Sequence, residues 1–173
     1  MQQTGRCLQE RGKMAKNKEI KTNAMRILDS MKISYEQYTY ECEEFIDGIQ
    51  IADMLSLPHE KVYKTLVTVG GHGSYFVFVL PIEAELDLKK AAKAVGEKSL
   101  SMLHVKDING VTGYIRGGCT AIGMKKHYVT KVAKEAEALS AMIVSGGRLG
   151  SQIELAPGDL LKAADAEFAD ILL

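Results

Sequence analysis

A chain of 173 residues is the size of one ordinary domain, long enough to bury about two thirds of its unfolded surface around a single core. Hydrophobic residues make up 46% and charged residues 25%, and no apolar run approaches the roughly 20 residues of a membrane helix, so a soluble protein with no membrane partner is expected. Lysine plus arginine and aspartate plus glutamate balance at 22 each, which excludes a global positive field and confines any nucleic-acid contact to a local patch.

The three cysteines, Cys7, Cys42 and Cys119, are odd in number, widely spaced and without histidines at ligand spacing, which argues against a disulfide framework or a structural zinc site. Reduced thiols point to a cytoplasmic protein that needs no metal and no cofactor. Residues 1–13 lack the apolar core of a secretory signal, and Met14 reads as a candidate start. Residues 1–19 are expected to be a disordered extension ahead of one domain spanning 20–173.

Thr22 can cap a first helix whose apolar stripe is Ala24, Ile27, Leu28 and Met31. Residues 33–40 alternate as a strand that points Tyr38 and Tyr40 the same way, and a second helix starts near Asp47, carries Ile51, Met54 and Leu55, and ends before Pro58. The run 62–69 is rich in β-branched and aromatic residues, and the Gly70-Gly71-His72-Gly73 turn returns it as a hairpin into 74–80. Lys64 is anomalous on such a strand, because a buried ammonium needs a partner carboxylate or an anionic ligand unless it snorkels from an edge.

Asp87 caps a helix over 88–95 that exits at Gly96, and Lys89, Lys90, Lys93 and Lys98 cluster there. Short apolar pieces at 101–104 and 113–115 flank a short helix over 105–111. The stretch 117–123, with Gly117, Gly118 and Gly123, reads as a loop in which backbone approaches something closely. Lys125, Lys126, Lys131 and Lys134 form a second basic segment. A strand over 141–145 runs into Gly146-Gly147-Arg148-Leu149-Gly150, a strand resumes at 152–155, Pro157 opens a helix reaching Ala164, and 167–172 suits a last strand. Hairpins too short for crossovers are interleaved with helices, which predicts a mixed α/β domain with a curved sheet.

No G-x-S-x-G elbow and no cysteine signature with a partner histidine is present, so hydrolase triads are unsupported. Neither glycine turn has phosphate-loop or dinucleotide spacing. The residues alone leave a pocket for an anionic or carbonyl-bearing ligand, built from Lys64, Thr65, the tyrosine face and two glycine loops.

Several pieces together resemble the YbaK/EbsC family, the Cys-tRNA(Pro) deacylases related to the editing domain inserted in prolyl-tRNA synthetases. They are Thr22-Asn23-Ala24, Val62-Tyr63-Lys64-Thr65-Leu66, Leu86-Asp87-Leu88-Lys89-Lys90, Thr112-Gly113-Tyr114 with Gly117-Gly118, Ile122-Gly123 with Lys125-Lys126, Val144-Ser145-Gly146-Gly147, and Ile153-Glu154-Leu155-Ala156, in the family's order from about residue 20 to 172. The resemblance implies a compact mixed α/β fold with a barrel-like sheet flanked by helices.

It also implies trans-editing of cysteine mischarged on proline tRNA, on the aminoacyl-tRNA 3′ end and in transient complex with prolyl-tRNA synthetase. By motif position Lys64 matches the family's essential lysine, Thr65 its neighbour, Tyr40 the tyrosine closing the first strand, and Ser145 the serine opening the glycine turn. Gly117 and Gly118 match the loop against the aminoacyl end, with Gly146 and Gly147 in the second turn. Gln152 stands where an acidic residue is common, so a carboxylate role there does not carry over. The substrate's own thiol is the implied nucleophile, with Lys64 a point charge, Thr65 and Ser145 donors, and glycine N–H groups an oxyanion site. A relative acting with water on Ala-tRNA(Pro), and a non-catalytic tRNA-end or synthetase-binding module, stay open on sequence grounds.

Overall fold

The computed structural model describes residues 21–173 together with the strand pair Gln9–Glu10, and the remaining residues of the expected 1–19 extension lie outside the described residues. In chain order the strands are β1 (Gln9–Glu10), β2 (Glu36–Tyr40), β3 (Tyr63–Val69), β4 (Tyr75–Pro81), β5 (Ser101–Met102), β6 (Val129–Ala133), β7 (Met142–Ser145), β8 (Ser151–Leu155) and β9 (Ala166–Ala169). The α-helices are α1 (Asn23–Ser30), α2 (Gly48–Met54), α3 (Leu88–Val95), α4 (Ile108–Thr112) and α5 (Pro157–Ala164).

Local chemistry sets the helix starts. The side chains of Thr22, Asp47 and Asp87 accept the backbone N–H of Met25, Gln50 and Lys89/Lys90 at the openings of α1, α2 and α3, and Pro157 opens α5. The buried stripe of α1 is Ala24, Met25 and Leu28; Met31 is exposed, because it is the C-cap and the last helical turn is already behind it.

Two sheets form, with strand orders β1-β2-β8-β7 and β5-β3-β4-β6-β9. All pairs in the first are antiparallel, whereas β6 runs parallel to both β4 and β9. The mixed α/β expectation therefore holds, but among the described residues the sheets do not close into the expected barrel. They meet at one parallel bridge, Val62 to Ile143.

Strand β6 has no counterpart in the sequence reading, which took this region as a basic segment. Thr130 and Val132 point into the core while Lys131 faces Glu167 across the β6–β9 register, so one lysine masked an alternating strand. Residues 113–115, the short apolar piece after the helix, leave α4 through Gly113 at φ 82°. The last strand is shorter than expected, and Leu172 only bridges Leu86.

The start of α1 clasps both glycine-rich loops. The Thr22 hydroxyl accepts from Met25 N–H at 3.2 Å and donates to the Gly146 carbonyl at 2.5 Å. One residue on, Asn23 Nδ2 donates to the Gly123 carbonyl at 3.1 Å, and the buried Tyr114 hydroxyl donates to the Ile122 carbonyl at 2.6 Å. Gly123 is obligatory here: its φ is +72°, and a Cβ would sit 2.6 Å from both Asn23 Nδ2 and Ile27 Cδ1. Gly123→Ala is expected to destabilise by about 2–3 kcal/mol and lower Tm by roughly 5–10 °C, whereas Gly71→Ala, where a Cβ meets nothing within 4 Å, leaves Tm unchanged. Thermal melts of the two variants check this; equal melting temperatures would contradict the clasp.

Candidate active site

Where the sheets part near Val62, a cleft of about 550 Å³ opens. Its wall brings together Lys64 and Thr65 from β3, Ser145 from the end of β7, Gln152 from β8, and Gly117 from the loop after α4. These residues span 88 positions of sequence from Lys64 to Gln152 (152 − 64), so their meeting is a product of the fold. Register explains part of it: Gln152 sits opposite Ser145 on one side and Tyr38 on the other.

Lys64 is half-buried, and its Nζ reaches the Ile82 carbonyl at 3.4 Å. Among the described residues no carboxylate pairs with it within 4.0 Å. Burial pushes its ammonium below the ordinary lysine range, while the field of Glu85 works the other way. Ser145 Oγ accepts the Gly147 N–H at 3.2 Å, which leaves its own proton without an acceptor among the described residues. Gln152 is only 5% exposed and lines the cleft, so the amide occupies a place where a carboxylate would be costly to bury.

Four expected residues are not in the cleft wall. Tyr40 is 7% exposed and packs with Ile51 and Leu55 beneath α2, so it is a core residue. Gly118 is buried with its Cα against the turn after β7: a Cβ would lie 2.8 Å from Arg148 Cα and C, so its close approach is to the protein's own backbone. Gly146 and Gly147 build that turn without lining the cleft. The expected oxyanion donors are also mostly engaged, because Gly118 N–H bonds Ile115 O, Gly146 N–H bonds Ser151 O and Gly147 N–H bonds Ser145 Oγ. Gly117, in the cleft wall, has no such bond among the described residues.

Sequence reasoning missed two further cleft residues, Phe45 and Arg116, whose guanidinium lies 3.9 Å from the Phe45 ring centroid. Neither carries a motif, and only the fold joins them. It also missed Cys119 as a cleft residue; burial pushes its thiol up to about 11, against a smaller lowering by Thr112. Among the described residues the one carboxylate in the wall is Asp47, whose Oδ1 accepts the Gln50 N–H as the cap of α2.

The basic segments are partly neutralised from within. Lys90 bonds Asp170 and the Leu172 carbonyl, Lys131 pairs with Glu167 at 2.7 Å, and Lys134 lies 4.0 Å from Asp170. Among the described residues, no cluster of three or more His, Cys, Asp or Glu is arranged to hold a metal ion, and no helix is long and apolar enough to cross a membrane.

Fold and site together define a small mixed α/β domain with a lysine-bearing cleft and, among the described residues, no paired nucleophile and base in its wall. The chain belongs to the aminoacyl-tRNA editing domain family, whose model matches residues 47–163. It is 48% identical over 160 residues, 91% of this chain and 98% of the relative, to an Enterococcus faecalis protein named "Putative Cys-tRNA(Pro)/Cys-tRNA(Cys) deacylase EbsC". Its fold is similar to a crystal structure described as "a putative trans-editing enzyme for prolyl tRNA synthetase" (TM-score 0.73, 19% identity, 88% of this chain and 98% of that one). It is similar also to that of the hypothetical protein APE2540 (TM-score 0.77, 18% identity, 86% and 97% covered).

The floor under Lys64 is tied to α2 by His59, whose ring bonds Asp53 of α2 at 2.6 Å and Glu83, the residue after Ile82. The two carboxylates, Glu83 first, raise the imidazole above its ordinary value of 6.5. A raised folded-state pKa makes this tie fully stabilising below the unfolded value and weakens it as pH rises through the folded one. The Tm gap between wild type and His59→Gln is therefore expected to be widest below pH 6.5 and to close at higher pH; a gap independent of pH would contradict the tie.

Proposed function

We propose that this protein is a trans-editing aminoacyl-tRNA deacylase that clears cysteine mischarged onto proline tRNA, with the substrate's own thiol as nucleophile. The observation that carries the reading is a cleft with hydrogen-bond donors and no base to activate an enzyme nucleophile. Lys64, Thr65, Ser145 and Arg116 can donate; Asp47 accepts the Gln50 N–H as the cap of α2, and among the described residues the wall contains no histidine. Cys119, with its thiol at about 11, is essentially protonated near neutral pH.

An aminoacyl ester needs little activation, so positioning suffices. The cysteinyl sulfur attacks its own ester carbonyl; an S–C bond forms and the C–O bond to the terminal ribose breaks. The thiol proton leaves through water and the ribose oxygen takes one up, which releases a cyclic thioester that water then opens. Lys64 is the compact positive charge beside the terminal phosphate or the ester oxygen, Ser145 and Thr65 donate hydrogen bonds, and Gly117 N–H faces the developing oxyanion. Gln152 orients the amino acid through its amide.

Support for this substrate comes from the name carried by the E. faecalis relative. With zero net charge and several lysines neutralised internally, the chain binds tRNA weakly and in a salt-sensitive way, and transient complex with prolyl-tRNA synthetase in the cytoplasm supplies tRNA selectivity.

Lys64→Ala is expected to lower the deacylation rate about 10²–10³-fold with the melting curve unchanged, and Lys64→Arg should not restore it, since a planar fork replaces a compact charge. Wild-type turnover in Lys64→Ala at saturating substrate would overturn the assignment. Blocking the substrate thiol tests the chemistry: S-methylated Cys-tRNA(Pro) should be essentially inert to the wild-type enzyme, and hydrolysis at the unblocked rate would point instead to an activated water.

A further inference from the structure

The mouth of the cleft is lined by large apolar side chains that remain exposed. Phe45, Ile49, Met102 and Val105 are 45%, 41%, 43% and 53% exposed, and all four line the one cleft. Scattered exposed hydrophobics are ordinary, but four gathered around one opening mark a surface that is covered when the protein works. Over this rim lies Arg116, whose guanidinium stacks 3.9 Å from the Phe45 centroid, with the ring itself seated against Gly117. Arg116 is exposed and, among the described residues, makes no ion pair. The Phe45 ring under its Cζ restrains the exposed guanidinium at the rim.

A flat, delocalised cation restrained over an aromatic ring offers a stacking partner for a planar heterocycle, which every nucleobase presents regardless of sequence. The rim supplies the apolar edge such a ring needs, and the acidic residues Glu41, Glu43 and Glu44 beside Phe45 disfavour a phosphate at this place. We infer that Arg116, held over Phe45, is the plate on which the terminal nucleobase of the aminoacylated strand stacks while the ester reaches Lys64. The inference rests on the deacylase reading and adds to it a positioning contact about the base, outside the reacting atoms.

The test compares two small esters, cysteinyl adenosine and the cysteinyl ester of base-free 1,4-anhydroribitol, by kcat/KM. In wild type the adenosine ester should be favoured; in Arg116→Ala that preference should fall roughly tenfold, through KM rather than kcat. Arg116→Lys keeps the charge and loses the plane, so it should resemble the alanine variant. A preference unchanged in both variants overturns the plate, as does a loss that appears only when prolyl-tRNA synthetase is added, which would make the rim a protein-docking face. If wild type cleaves neither ester nor Cys-tRNA(Pro), the deacylase reading fails by itself. The plate is then decided by NMR titration with AMP against ribose 5-phosphate: weaker AMP binding in Arg116→Ala with unchanged ribose 5-phosphate binding supports it, and equal AMP binding by both proteins overturns it.

Discussion

The Thr22 hydroxyl is the contact on which the rest of the site depends. It closes the first turn of α1 by accepting from Met25 and in the same position donates to the carbonyl of Gly146. A helix cap is an ordinary device for satisfying orphan N–H groups. Here the same oxygen joins the first helix to the turn between β7 and β8, 124 residues away. Asn23 and Tyr114 do the corresponding work for the loop at Ile122 and Gly123. Because Gly118 packs directly on Arg148, the two loops then lie against each other, and the position of Gly117 and Ser145 in the cleft follows from that packing.

This arrangement divides labour in a way that residue identity alone does not reveal. Gly118, Gly146 and Gly147 spend their N–H groups inside the protein, while the polar groups of the cleft wall among the described residues are an ammonium, a guanidinium, two hydroxyls, an amide, a thiol, the capping carboxylate and one open backbone N–H. Burial that lowers the Lys64 ammonium below its ordinary range makes it gain from an anionic partner. Such a cleft has means to hold and orient an ester and lacks means to attack one, which is why the nucleophile is assigned to the substrate.

Strand and helix positions were readable wherever local chemistry decided them. The caps at Thr22, Asp47 and Asp87, the glycine exit at Gly96 and the hairpin between β3 and β4 all express rules that operate over a few residues. Strand β6 was hidden because Lys131 interrupts its apolar pattern, and only the facing Glu167 on β9 makes that lysine compatible with a central strand. Lys64 was visible as a charge on an apolar strand, and the fold gave it no carboxylate partner among the described residues. Tyr40 and Gly118 read as site residues because a tyrosine and a paired glycine suit a ligand as well as they suit a core, and in the fold both are buried outside the cleft wall. The Phe45–Arg116 stack joins residues 71 positions apart (116 − 45) and had no local signal at all.

Substrate choice is where the account is most exposed, since a pocket that accepts cysteine cannot strongly exclude residues of similar size by contact alone. If the substrate's thiol does the chemistry, selectivity comes from reactivity. The direct measurement is the rate at which the purified protein deacylates Cys-tRNA(Pro), Ala-tRNA(Pro) and Pro-tRNA(Pro) side by side. The account predicts rapid loss of cysteine with alanine and proline retained; comparable rates for alanine and cysteine, or no deacylation of any of the three, would contradict it.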